Sequence, residues 1–271
     1  ISLAALEAFY GRKAAEPAPA ELDAEAAVET AQASEERRRR LESGRPLAAR
    51  LRVRRLGVPR RKTVVIYPGV DRQFTIETGS RPLPYPYIIC LGPWVKRKNL
   101  EVVVRAFALL AHEHTDTRLV ITGGPAPGLQ SYNESELAGL LPDDVRHRLV
   151  LPRFVAREEL AEWVGGASVL AYPSVDEGFG LPPLEAMAAG VPVVVADTPA
   201  VVEATSGAAL IAPKHDPAAW AAQISLALER PQVAERLRSA GLLHSARFTW
   251  ESCASSFLRL YTRIASRAGN K

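Results

Sequence analysis

The chain has 271 residues, 47% hydrophobic and 24% charged, which is the balance of an ordinary globular protein that buries a core without staples. Cys90 and Cys253 are its only cysteines and each sits among apolar residues, so the sequence excludes a disulfide framework and points to buried thiols in a reducing compartment. The net charge of +4 lies wholly in residues 1–61, with 13 Lys and Arg against 9 Asp and Glu; residues 62–271 carry 21 of each, so charge gives the body no nucleic-acid character.

In chain order, the opening ISLAALEAFYGRK lacks the basic-then-apolar order of a signal peptide, and it lacks an initiator Met. The chain therefore reads as a fragment or a cut from a longer one. No apolar run approaches the roughly 20 residues of a membrane helix, and a cytoplasmic location is expected. Residues 14–34 are rich in Ala, Glu and Pro and read as a linker or loose helix. Residues 37–61 carry eleven Arg against one Glu. Without interleaved aromatic residues for base stacking, they read as a solvated basic helix. Contact with anionic lipid at the inner membrane face is the alternative, and no nucleic acid is expected. Residues 1–61 are thus an arm or the remnant of a preceding domain, and 62–271 are one domain.

LRVRRLGVP (51–59) suggests a short helix and TVVIYPGV (63–70) a strand. Beyond them strands and helices alternate. Strands are expected at 87–92, 118–124, 147–155, 167–174, 191–198 and 209–213. Helices are expected at 99–114, 157–167, 182–190, 199–206, 217–229, 232–246 and 249–266. The helix at 99–114 places Leu100, Val103, Val104, Phe107 and Leu110 on one face, with Asn99 as its N-cap. The strands are near-continuous apolar runs, as in strands covered on both faces. That alternation implies an α/β fold with a doubly wound, Rossmann-like parallel sheet, whose ligands bind beyond the carboxyl ends of the strands. Gly92 to Lys98, Gly123 and Gly124, Arg153 to Val155, and Ser174 to Gly180 all fall on that one rim. Structural turns alone would place Gly at both rims.

The most informative stretch is PSVDEGFGLPPLEAMAAGVPVV (173–194). Gly178 and Gly180 let the backbone approach a ligand. Pro182 and Pro183 suit the first turn of a helix whose free N–H groups face the rim, a ready site for a diphosphate. Glu185 is expected in that first turn, leaning back towards ribose hydroxyls. Glu177 faces the same crevice from the preceding loop. Each has a plainer reading: the helix dipole alone favours an early Glu, a loop Glu is ordinarily exposed, and Gly-Phe-Gly alone is a turn. Their joint occurrence favours a ligand.

EGFGLPPLE resembles the E-x7-E signature of the retaining glycosyltransferases of group 1, family GT4, which have the two-domain GT-B fold. AYPSVDEGFGLPPLEAMAAGVPVVVAD, GPWVKRKNLEVVVRAF, VIYPGVDRQF, LVITGGP, EELAEWVGGA and RFTWESCA resemble further family segments in the right order, over about residues 60–265. The resemblance implies that 62–271 are the C-terminal, nucleotide-sugar-binding half. Glu185 would hold the ribose. Glu177 would contact the transferred sugar and stabilise positive charge at its anomeric carbon. Backbone N–H groups of Phe179, Gly180 and Leu181 would line the sugar and phosphates, with Gly92, Gly123 and Gly124 on the same rim. Lys98, helped by Arg97, would neutralise the leaving diphosphate, where a fixed cation is worth most. Phe154 and Val155 would lie along the base.

The implied reaction is retaining hexosyl transfer from a UDP- or GDP-linked sugar to a glycan, lipid or polysaccharide precursor. It needs no metal and no separate cofactor. His112-Glu113-His114 lacks a third ligand and reads as a surface cluster. Paired carboxylates also suit a glycosidase, but a helix N-terminus and a basic loop suit an anionic leaving group better. Three departures stand out. Pro93 occupies the place of an Arg common after the Gly of the basic loop. A Gly common near the base-binding strand is replaced around Arg153. No acceptor domain is recognisable in residues 1–61. A donor-binding module inactive without that half, or a phosphorylase or epimerase on the same fold, are the alternative readings.

Overall fold

The computed structural model describes residues 62–74 and 81–269. The Arg-rich arm, with the membrane contact given as its alternative reading, and the helix expected at 51–59 lie outside them. Six strands form one sheet: β1 (Tyr87–Cys90), β2 (Arg118–Thr122), β3 (Leu149–Arg153), β4 (Val169–Tyr172), β5 (Val193–Ala196) and β6 (Leu210–Ala212). Their order is β3-β2-β1-β4-β5-β6, and every pairing is parallel. The helices are α1 (Leu100–Leu110), α2 (Glu134–Ala138), α3 (Asp143–Arg146), α4 (Arg157–Gly165), α5 (Leu181–Ala188), α6 (Pro199–Thr205), α7 (Pro217–Glu229), α8 (Pro231–Ser245) and α9 (Trp250–Gly269).

The apolar strands are covered on both faces, as their composition requires. Every residue of β1, β4 and β5 is buried. Alternate residues point to opposite faces. Ile88, Cys90, Leu119, Ile121, Val169 and Ala171 join Leu100, Val103, Val104 and Phe107 of α1 and Trp220 and Ile224 of α7 in one core. Tyr87, Ile89, Val120, Leu170, Tyr172, Val193 and Val195 meet Val164 of α4, Leu184 and Met187 of α5 and Val201 of α6 in the other. Each such large side chain contributes about 1.5–3 kcal/mol by leaving water. Helices α1 and α5 thus leave the rim towards opposite faces, and the loops after β1 and β4 diverge there. That divergence is the topological switch point of a doubly wound sheet.

The sequence expectation fails at 63–70, which forms no strand. Val64 is 54% exposed and Val65 41%. The segment is held instead by contacts to its neighbours. Tyr67 stacks on Phe179 at 5.2 Å and donates to Glu203 at 2.9 Å, and the Val70 amide donates to the Phe248 carbonyl at 2.9 Å. Helix α2 was not foreseen, although its capping box is written in the sequence: Asn133 accepts from the Glu136 amide at 2.9 Å and Glu136 accepts from the Asn133 amide at 2.7 Å. Asn99 does stand at the N-terminus of α1, but in the left-handed region (φ 52°) and without capping it. Its side-chain amide donates to the Lys214 carbonyl at 2.6 Å and faces the Pro173 carbonyl at 3.4 Å, which ties α1 to the β4 loop.

Gly123 closes the rim. Its φ is 90°, and a Cβ there would run into the Gly92 carbonyl, so the β1 and β2 loops touch only because this residue is glycine. Gly123→Ala is expected to cost about 2 kcal/mol or more, read as a lower urea midpoint at unchanged m-value.

Candidate functional site

The basic loop after β1 is fastened before it reaches the rim. Trp94 is buried and its indole donates to the Thr122 carbonyl at 3.1 Å. Backbone bonds run from the Trp94 amide to Gly124 at 2.8 Å, from Lys96 to Gln130 at 2.8 Å, and from Tyr132 back to Trp94 at 2.7 Å. With both flanks fixed, Lys96–Lys98 turn as a single 3-10 helix. That turn sends Lys98 inward, where it is buried, and leaves Lys96 and Arg97 exposed.

Lys98 meets the loop after β4. Its Nζ lies 2.8 Å from Glu177 Oε1 and 2.8 Å from the Tyr172 hydroxyl. Arg97 reaches the same Oε1 at 3.0 Å, and Ser174 Oγ donates to it at 2.7 Å. The two loops are also joined through backbone, from the Val175 amide to the Arg97 carbonyl at 2.9 Å. Thr198 holds the far side, donating to the Ser174 carbonyl at 2.7 Å. Burial pushes the Lys98 ammonium below the ordinary lysine range, against the pull of Glu177. Burial also pushes the Glu177 carboxyl upward, but the hydrogen bonds from Lys98 and Ser174 outweigh it and hold the group below its usual range. The structure therefore brings Glu177, Lys98 and Arg97 together across the switch point. Gly92, at φ 110°, keeps space beside Lys98; a Cβ there would stand 3.3 Å from Lys98 Cε.

Gly180 ends the acid loop at φ 111° and caps α5. Phe179 turns its ring away into an aromatic cluster with Tyr67 and Phe248, at 5.2 and 5.7 Å. The amides of Phe179, Gly180 and Leu181 donate to no described residue. Gly178 is exposed, with open space where a Cβ would stand. Pro182 and Pro183 lie in the first turn of α5, as expected.

Glu185 does not. The helix starts at Leu181, so Glu185 is its fifth residue and belongs to the second turn. It still leans towards the rim, because helical side chains tilt to the N-terminus. Its carboxylate is buried, and Oε1 lies 3.3 Å from Arg157 Nη2. Burial pushes its carboxyl above the ordinary range, more than Arg157 draws it down. Arg157 opens α4 and reaches Asp71 Oδ2 at 3.1 Å as well. Neither Arg157 nor Asp71 was picked out from sequence. Arg157 reads as the first residue of an ordinary charged helix, and only the rule that lone charges gather on the carboxyl rim would have found it.

Phe154 and Val155 follow β3 on this rim, with Phe154 86% exposed. Arg153 just before them has φ 60°. That is a left-handed backbone in which glycine rests without strain, so the departure noted from sequence has a conformational counterpart. His112 and Glu113 are exposed, whereas His114 turns to Glu229 at 3.0 Å. Among the described residues no group of three or more His, Cys, Asp or Glu side chains could hold a metal ion. Both cysteines are buried thiols. No described helix is long and apolar enough to cross a membrane.

The fold and rim together define a doubly wound domain of the kind that binds nucleotides at its switch point. Residues 71–243 match the family of glycosyl transferases group 1, and the chain belongs to that family. It is 36% identical over 227 residues to a D-inositol 3-phosphate glycosyltransferase of Jonesia denitrificans, over 76% of this chain and 53% of that protein. The chain spans about half the length of the curated relatives it matches. In fold it is similar to a sucrose-phosphate synthase from Thermosynechococcus elongatus, with a TM-score of 0.68 at 24% identity over 81% of this chain and 57% of that one. It is also similar to HepE of Anabaena in complex with UDP, with a TM-score of 0.65 at 17% identity over 76% and 59%; HepE is known with UDP-glucose too.

The two carboxylates respond oppositely to acid. Glu177, held below its usual range, stabilises the fold above the ordinary carboxylate pKa, and that stability is lost as pH falls through its folded value. Glu185, raised by burial, costs stability when ionised, and the cost disappears as pH falls through its folded value. Glu185→Gln is therefore expected to raise the melting temperature at pH 7, with the gain shrinking as the pH is lowered.

Proposed function

We propose that this chain is the donor-binding half of a metal-independent, retaining hexosyltransferase that uses a nucleotide-diphosphate sugar. The observation that carries the reading is the meeting of Lys98 and Glu177 across the β1/β4 switch point, beside the Gly180–Leu181 start of α5. On this reading the diphosphate takes the amides of Phe179, Gly180 and Leu181, and Lys98 and Arg97 turn from Glu177 to its oxygens. Glu177 then faces the sugar and Glu185 the ribose, with Phe154 and Val155 along the base. Gly92, Gly123, Gly124 and Gly178 leave the ligand room.

In the reaction, the bond between the anomeric carbon and the diphosphate oxygen breaks, and the acceptor oxygen bonds to the same face of that carbon. The acceptor proton passes to the departing phosphate. Lys98 and the helix start stabilise the charge gained by the diphosphate, and Glu177 stabilises the positive charge on the sugar ring. A buried ammonium is suited to this because few waters compete with its charge. HepE's complexes make UDP the first nucleotide to try, and the name of the curated relatives adds a phosphorylated polyol to glycan and lipid as acceptors to try. The length shared with relatives supports donor binding as the property to seek in this chain, with transfer belonging to the whole enzyme.

Melting with UDP, GDP and ADP tests the reading. A nucleotide at 100 times its dissociation constant stabilises by about 2.7 kcal/mol, and one of the three is expected to raise the midpoint accordingly. No shift with any of them contradicts the proposal. In the whole enzyme, Lys98→Ala is expected to lower kcat by about 100-fold or more, the scale of losing one donor to a developing anion. Sugar phosphate as main product in the presence of orthophosphate would instead establish a phosphorylase.

A further inference from the structure

Glu185 has a single cationic partner among the described residues. Arg157 reaches it from across the rim, since α4 begins where the β3 loop ends, whereas Glu185 belongs to the helix that follows β4. The same guanidinium nitrogen bridges two acids, Glu185 at 3.3 Å and Asp71 at 3.1 Å. The Arg157 Cζ also lies 5.6 Å from the centre of the Phe74 ring. The Arg157 side chain is 53% exposed and that of Glu185 only 7%, so a solvent-side cation is anchored to a carboxylate sunk in the domain. No described donor reaches the other carboxylate oxygen, Oε2.

A carboxylate grips a vicinal diol best with both oxygens, and only when its plane is fixed. Packing restrains the Glu185 stem, but packing alone does not orient the terminal torsion, which is broad. Arg157 does so by holding Oε1, and Asp71 holds Arg157 from the other side.

We infer that Arg157, braced by Asp71, is the positioning residue that orients the Glu185 carboxylate for the paired ribose hydroxyls of a nucleoside diphosphate. This rests on the donor-site reading above. It assigns Arg157 no contact with the reacting atoms. The surrounding charges fit the role: the Glu185 carboxyl is affected by Arg157 and by Asp71, and no other described cation offsets its burial.

The test is calorimetric titration of the chain with UDP against 2′-deoxy-UDP and with GDP against 2′-deoxy-GDP. Wild type is expected to bind the ribonucleotide of its preferred base about tenfold more tightly than the deoxy form, the worth of one hydrogen bond to a charged group. R157A is expected to reduce that preference to under about threefold while leaving deoxynucleotide affinity nearly unchanged, and R157K to restore part of it. R157Q serves the same comparison should R157A fail to fold. If R157A keeps the full preference, or weakens both nucleotides equally, the inference is overturned while the donor reading stands. Binding of neither base by wild type, with no stabilisation by ADP either, overturns the donor reading and the inference with it.

Discussion

An ammonium group under the rim of a parallel sheet has to be neutralised, and Lys98 is neutralised by the one loop that the topology brings opposite it. The 2.8 Å contact to Glu177 joins the connection after β1 to the connection after β4, the two that part company at the switch point. Burying such a pair is not in itself a good route to stability, because the desolvation of both charges offsets most of their attraction. The surrounding bonds show how it is supported. Ser174 and Arg97 share Glu177 Oε1, the Tyr172 hydroxyl shares Lys98, and Asn99 and Thr198 clamp the backbone of the acid loop. The pair holds a buried cation against the loop that leads into α5. On the proposed donor-site reading, an incoming diphosphate would replace Glu177 as the partner of Lys98.

The second acid is built on a different principle. Glu177 is stabilised in its charged form by hydrogen bonds that include those from Lys98, Arg97 and Ser174, whereas burial disfavours the charged form of Glu185, which has one half-exposed arginine for support among the described residues. A buried carboxylate with an open oxygen is costly for an empty domain and useful to one that receives hydroxyl donors. Burial pushes both carboxyls up; the donors outweigh it at Glu177 but not at Glu185, and that is why their responses to pH have opposite signs.

Much of this was legible in the sequence because it rests on patterns with a fixed physical period. Continuous apolar runs such as YIIC and VVVA have no stable place except strands covered on both sides, and their alternation with helices leaves few topologies. Gly92, Gly123 and Gly180 marked the carboxyl rim because each has a positive φ that few other residues accept. What was not legible depends on tertiary partners. TVVIYPGV has strand composition, yet it finds no strand to pair with and is held by Tyr67, Phe179 and Phe248. Asn99 has a capping residue's chemistry, but two carbonyls from other segments claim its amide. The start of α5 at Leu181, one residue earlier than expected, put Glu185 into the second turn, because glycine at φ 111° lets the helix begin at once. Arg157 stayed hidden since nothing local distinguishes a rim arginine from a solvated one; only the approach of Glu185 and Asp71 does.

A crystal structure of the chain grown with UDP tests the central claim most directly. The account predicts the diphosphate against the amides of Gly180 and Leu181 with Lys98 Nζ within hydrogen-bond distance of a phosphate oxygen, and both ribose hydroxyls on Glu185. UDP bound elsewhere, or bound on this rim with the Lys98–Glu177 pair intact and Glu185 untouched, would contradict it.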